Sequence, residues 1–257
     1  MSNDWVESEN WRQIEDLNQR GGRMLSVIDL ICAGTIDLDI AAYVCEKMTR
    51  GASILTAAKP GGAGKTTIMA AFLGFIPPGA RIVTVSDSSA LNPENLYGQN
   101  PLYLMAHEIG SGSYYGYIWS EDVKRYFSLI EPGRSIASNL HADTLEELLS
   151  VMNNLEVPEI LIGRIDLIIF ISVLGRSFMN VKRRVAAIYE AVDGKHRLVF
   201  KHNPASDTFE CLTQNPFSSR AKKLRGFINE MVKQRNFEYH SLRKKFVEFY
   251  PELKNDR

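Results

Sequence analysis

The sequence predicts an α/β fold with a mostly parallel sheet, an antiparallel extension and a helical C-terminal tail. Three observations carry that expectation. Apolar strand-like runs alternate with helix-like patterns from residue 53 to residue 154, the arrangement that builds parallel sheets. Strand-like runs then follow one another from 166 to 211 without intervening helices, which calls for antiparallel pairing. Finally Leu224, Phe227, Ile228, Met231 and Val232 recur at three- and four-residue spacing, the apolar stripe of a helix.

Residues 1 to 22 are polar, with Trp5, Trp11, Ile14 and Leu17 loosely at helical spacing before Gly21-Gly22, and read as a helix or arm. The two tryptophans suit packing on the chain's own core or on a neighbouring subunit. Two short helices are expected next, over 26–33 ending at Gly34 and over 38–49 with Asp37 as N-cap and Gly51 past its end. The strand 53–57 runs into a glycine-rich stretch and a helix from Thr67 to Ile76, broken by Pro77-Pro78-Gly79. A buried strand is expected over 81–87, a polar loop over 88–100 and a further apolar strand over 101–108, closed by Glu108. A glycine and tyrosine loop over 110–117 precedes a helix over 120–130 that Pro132-Gly133 stops. A strand over 135–141 leads to a helix over 145–154, with Asp143 as the expected cap and Glu146-Glu147 in its first turn. Strands over 166–173 and 184–191 flank a turn at 175–182, and a hairpin over 198–201 and 208–211 turns at Asn203-Pro204. The expected division is an arm with lead-in helices over 1–50, a main domain over 51–215 and a basic helical tail over 216–257.

A chain of 257 residues suits one main hydrophobic core with appended segments. Lys plus Arg and Asp plus Glu are 30 each, so the overall balance gives no pointer to nucleic acid or an anionic membrane. The charge is uneven, because residues 218–257 hold eleven basic and five acidic side chains. A basic helix face of this kind usually accompanies core packing of the other face; membrane or nucleic-acid contact is the alternative. Cys32, Cys45 and Cys211 lack metal-ligand spacing and lie in apolar surroundings, as buried reduced thiols of a cytoplasmic protein do. The apolar run 167–174 is too short to span a bilayer, and residues 1–5 lack the features of a signal peptide.

The chemistry concentrates in Pro60-Gly61-Gly62-Ala63-Gly64-Lys65-Thr66-Thr67. Glycines let the backbone take positive φ and turn N–H groups toward an anion, and a helix beginning near Lys65 directs its N-terminal dipole at the same point. Lys65 suits β- and γ-phosphates and the Thr66 hydroxyl suits Mg²⁺, while the first glycine of the phosphate-loop pattern is replaced by Lys59. The bland alternative is a flexible glycine turn. Asp87, Glu108 and His141 stand at or near the ends of three further strand patterns, so parallel strands would gather them around the loop. Each alone reads equally as a structural histidine or a surface carboxylate.

From about Met24 to Val192 the sequence resembles the type II/type IV secretion ATPases, the motors of pili, archaella and conjugation. The segments that carry the resemblance are 24–30 with Gly34, the loop 60–67, 81–87, 100–109, Asn139-Leu140-His141-Ala142-Asp143-Thr144 and 183–190. It implies a RecA-like P-loop NTPase that binds ATP and Mg²⁺ through Lys65, Thr66 and the loop. It also implies Asp87 in an acidic box, Glu108 positioning water and contributing with Thr66 to the metal site, and His141 sensing the γ-phosphate. A hexameric ring follows, cytoplasmic or peripheral at the inner membrane face through a secretion or pilus platform membrane protein, with no direct nucleic-acid binding indicated. The chain departs from the family pattern at Lys59, Ser86, Ala90, Leu102 and Gly110, the last standing where the family has an arginine. Arg125, Arg134 and Arg164 are the candidates for an arginine supplied across a subunit interface. The short segment before Met24 stands in place of most of the family's N-terminal domain, so interdomain motion would come from a partner or be absent. These departures also suit a nucleotide-binding subunit with little hydrolysis that acts in assembly; a small-molecule P-loop kinase is the remaining reading.

Overall fold

The computed structural model describes residues 3–18, 21–96, 101–112, 114–175, 181–214 and 216–254. Parts of the expected loop at 88–100 and of the turn at 175–182 lie outside them. The strands are β1 (Ile54–Ala57), β2 (Arg81–Thr84), β3 (Leu102–Met105), β4 (Glu108–Ile109), β5 (Tyr117–Ile118), β6 (Arg134–Leu140), β7 (Leu167–Leu174), β8 (Lys182–Val192), β9 (Lys195–Asn203) and β10 (Thr208–Cys211). The helices are α1 (Asn3–Glu15), α2 (Val27–Cys32), α3 (Leu38–Thr49), α4 (Lys65–Leu73), α5 (Pro93–Leu96), α6 (Glu121–Ser128), α7 (Leu145–Asn154), α8 (Glu159–Ile162), α9 (Ser219–Lys233) and α10 (Tyr239–Lys254).

One sheet runs β10-β9-β8-β7-β1-β6-β3-β2, with β4 and β5 attached beside β6. The five strands from β7 to β2 are parallel, and β8, β9 and β10 extend the sheet antiparallel. The glycine-loop strand β1 is thus separated from β3 by β6. The parallel part of the sheet is buried on both faces, because alternate side chains of its strands enter different cores. Ile54, Tyr103, Leu167 and Ile169 join α2, α3, α4, α9 and α10 on one face. Leu55, Leu104, Ile168 and Phe170 join α6, α7 and α8 on the other.

Helix α3 matches expectation, with the Asp37 carboxylate accepting the Ile40 N–H at 2.8 Å. Helix α7 begins as expected but is capped by Thr144, whose Oγ1 accepts the Glu147 N–H at 3.2 Å, and not by Asp143. Thr144 and Glu147 have the spacing of a capping box, and that arrangement frees the Asp143 carboxylate for the glycine loop. Strand β2 stops at Thr84, three residues before Asp87. The tail is two helices instead of one, broken where Arg235 takes a φ of 52°. Cys32 and Cys211 are exposed and only Cys45 is buried, because the first two fall at a helix end and on an edge strand.

The arm and tail pack on the main domain. Helix α1 lies along the sheet edge, where Asn10 accepts the Ile82 N–H and donates to Ala80 O, both at 2.7 Å, and Gln13 Oε1 accepts the Thr84 N–H at 3.1 Å. These amides satisfy part of an edge that would otherwise be open to strand addition. Trp11 packs against Tyr239 of the same chain, whereas Trp5 stays exposed with Arg81 over its ring. Arg243 of α10 joins Glu7 at 2.7 Å and donates to Ile76 O at 2.6 Å, and Tyr239 donates to Ala70 O at 2.7 Å.

Phe246, wholly buried, contacts Phe75 at a ring separation of 4.9 Å and is the apolar centre of this tail packing. Phe246→Ala is expected to lower stability by about 3–5 kcal/mol, measured by urea unfolding. A loss under about 1 kcal/mol would mean that the tail is not part of the folded core.

Candidate functional site

The loop between β1 and α4 is built by backbone conformation. Gly62 and Gly64 have φ of 77° and 97°, in the left-handed region, and Gly64 is the N-cap of α4. A side chain at Gly64 would be strained there, and its Cβ would also stand 3.3 Å from Arg183 Cδ. Residues Gly61, Gly62, Ala63, Gly64, Lys65, Thr66 and Thr67 line a cleft of about 680 Å³ that Glu108, His141, Tyr117 and Arg183 also face.

Lys65 is buried at 7 % exposure, and its ammonium donates to Ala58 O at 3.0 Å. The same Nζ lies 3.3 Å from His141 Nδ1 and 3.9 Å from Glu108 Oε1. Glu108 Oε1 in turn contacts His141 Nε2, and the Tyr117 hydroxyl lies 3.4 Å from Glu108 Oε2. The three predicted catalytic side chains therefore form one cluster, with the carboxylate between two nitrogen groups. His141 Nδ1 is also 2.8 Å from Lys59 O, a distance at which it donates in the tautomer with the proton on Nδ1.

Asn139 connects this cluster to the sheet. It is wholly buried on β6, accepts from Thr56 Oγ1 of β1, and donates from Nδ2 to His107 O at 2.6 Å and to Thr66 Oγ1 at 3.2 Å. His107 is packed under the glycine and tyrosine loop: a Cβ on Gly116 would lie 2.5 Å from its Cγ. Burial lowers the His107 pKa, so the ring favours its neutral form.

The substitution at Lys59 changes the loop's anchoring. Lys59 N–H donates to Asp143 Oδ1 at 2.7 Å, and its side chain pairs with Glu147 of α7. That pair raises the lysine pKa and lowers the glutamate pKa, each chiefly through their mutual hydrogen bond. Pro60 is exposed at the loop's outer edge. Asp87 lies outside the cleft lining; it caps a short 3₁₀ turn, accepting the Ser89 N–H at 2.8 Å, and hydrogen bonds from Ser89 lower its pKa. Arg134 and Arg164 border a separate cleft at the strand starts, the opposite sheet edge, and Arg125 bonds Asn92 at 3.2 Å. Tyr117 and Arg183 face the cleft and Asn139 lies buried behind it; the sequence alone assigns a site role to none of the three.

The donor set suits a magnesium-bound nucleotide. Left-handed glycines, a buried ammonium and a hydroxyl at the start of a helix are groups that suit phosphate and metal, and Thr66 and Glu108 carry side-chain oxygens in the same lining. Among the described residues no cluster of three or more His, Cys, Asp and Glu side chains suits a metal bound by protein alone. A metal here would share its shell with phosphate oxygens.

No protein-family model matches the chain. An uncharacterized protein of Methanocaldococcus jannaschii is 26 % identical over an alignment of 247 residues that covers 81 % of this chain and 88 % of that protein. A putative conjugal transfer protein of Mycobacterium tuberculosis is 30 % identical over 124 residues, covering 48 % of this chain and 34 % of that protein. The chain is similar to the secretion ATPases. Among solved structures, the VirB11 ATPase of the Brucella suis type IV secretion system aligns with a TM-score of 0.43 and 14 % identity, over 70 % of this chain and 55 % of that one. The chain thus spans about half of the VirB11 chain and a third of the mycobacterial protein.

Removing the Asn139 amide takes a hydrogen-bond partner from Thr56 Oγ1, from Thr66 Oγ1 and from the His107 carbonyl. Asn139→Ala is expected to cost about 1–3 kcal/mol in chemical denaturation. Unchanged stability would show that Asn139 does not hold the loop to the sheet.

Proposed function

We propose that the chain is an ATP-binding and ATP-hydrolysing motor subunit of a type II/IV secretion, pilus or conjugation-like machine. The observation that carries this reading is the meeting of Lys65, Glu108 and His141, from three different elements, at the lip of a left-handed glycine loop. Lys65 leaves Ala58 O and the Glu108 carboxylate to pair with the β- and γ-phosphates. Glu108, released from that pairing, orients water for in-line attack, and His141 reads the γ-phosphate. Thr66 and Glu108 would hold Mg²⁺, which would supply neutralisation of phosphate charge. Asp87 completes the site when its turn approaches the cleft. The subunits act as a hexameric ring on a membrane platform protein, at the cytoplasmic face.

A second reading is a nucleotide-binding subunit with little hydrolysis, which orders an assembly. It is favoured by the exposed, self-contained Asp87 turn and by Gly110 in the place of an arginine. Positive charge supplied to the transition state is worth on the order of a thousand-fold or more in such enzymes, so its loss weighs on turnover more than on binding.

Purified protein is expected to bind Mg-ATP and turn it over. Lys65→Ala should abolish both, whereas Glu108→Gln should keep binding and lower turnover at least a hundred-fold, on the order seen for positioned acid–base groups. Wild-type binding with turnover at background would favour the assembly subunit. Turnover insensitive to Lys65→Ala would overturn both readings.

A further inference from the structure

Strand β8 opens with three basic residues, Lys182, Arg183 and Arg184, and side chains alternate across a strand. The outer two turn to one carboxylate. Lys182 Nζ lies 3.2 Å from Asp207 Oδ2, while Arg184 donates to both Asp207 oxygens at 2.8 and 2.9 Å and to Ala33 O at 3.2 Å. His202 adds a contact at 3.0 Å, and this set, Arg184 foremost, holds the Asp207 carboxyl well below the usual carboxylate range. Lys182 and Arg184 are thereby consumed in joining β8 to the β9–β10 turn and to the end of α2.

Arg183 faces the other way and reaches the glycine loop. Its Nε donates to Gly62 O at 3.1 Å, and its Cδ is the atom that crowds Gly64. The side chain is exposed to the cleft that holds Lys65, Glu108 and His141. Among the described residues Arg183 makes no ion pair, and Nε is the only side-chain nitrogen of its guanidinium in a hydrogen bond. The other cations lining the cleft are engaged: Arg23 pairs with Asp29 at 2.5 Å, Lys182 with Asp207, and Lys65 lies beside Glu108.

A guanidinium fixed by one nitrogen beside a turn that presents backbone N–H groups is a phosphate-binding arrangement. We infer that Arg183 contacts the polyphosphate of the bound nucleotide from within the same chain, clamping it against the loop between Gly62 and Lys65. This rests on the nucleotide-site reading above. It gives the subunit, beside Lys65, a second phosphate-bound cation that needs no neighbour in a ring, and it gives the start of β8 a direct link to nucleotide occupancy.

The test compares full-length wild type, Arg183→Gln and Arg183→Lys for binding of Mg-ATP and of inorganic tripolyphosphate, by calorimetry at two salt concentrations. Glutamine keeps an N–H able to reach Gly62 O but carries no charge, so a merely bracing role would survive it. The expected result is at least a tenfold weaker affinity of Arg183→Gln for both ligands at low salt, on the scale of one charge-assisted contact. The salt dependence should also be shallower, Arg183→Lys should recover part of the loss, and thermal stability should be unchanged. Wild-type affinity in Arg183→Gln, with Lys65→Ala abolishing binding, would overturn this inference and leave the nucleotide site standing. No binding by the wild type would overturn both.

Discussion

Strand β6 sets the spacing of the groups in the cleft, because it pairs with β1 on one side and with β3 on the other, both in parallel. Its register places Asn139 beside Thr56 and Leu140 beside Ala57, so the chain leaves β6 at the level where β1 enters the glycine loop. His141 is the next residue, and Ala58 N–H bonds back to Leu140 O at 3.2 Å. On the other side Ala106 N–H bonds to Ala137 O at 3.0 Å, which fixes the step from β3 to Glu108. Side chains alternate every residue, so a one-residue slip of β6 would put Asn139 into a hydrophobic layer and remove His141 from Lys65.

A buried amide at that point has a cost that its partners must offset. Asn139 has its carbonyl and amide groups in hydrogen bonds to three elements, which satisfies it inside the sheet and joins β1, α4 and the β3–β4 step in one network. The polar cluster above is held from outside by a different set of charges. Lys59 and Asp143 tie the loop to the start of α7, and Arg183 ties it to β8. The loop is thus braced from two sides while residues 61–67 line the cleft.

Much of this was legible in residue order. Apolar runs between helical patterns place the five parallel strands, and the glycines before Lys65 mark the loop because few residues tolerate positive φ. Glu108 and His141 stand out as polar residues closing apolar runs. Arg183 and Asn139 were harder to see. Asn139 lies inside a run that reads as an ordinary strand, and only pairing with β1 shows why an amide is tolerated there. Arg183 sits in a basic triplet whose members look alike until Asp207, distant in sequence, takes the two on one face. One local signal was available in Asp193-Gly194, both at positive φ, which form the tight β8–β9 turn. Asp87 shows the opposite case: a short strand β2 ends early, and the carboxylate satisfies its own turn instead of reaching the cleft.

In the proposed function, the backbone of the glycine loop receives the phosphates of a nucleotide at the site β6 organises. Amide hydrogen exchange across residues 59–67, with and without Mg-ATP, tests it most directly. The expected result is nucleotide-dependent slowing in the peptide that contains Gly62, Gly64, Lys65 and Thr66, with the β9–β10 hairpin unchanged. Equal exchange in that peptide at saturating Mg-ATP would contradict the claim.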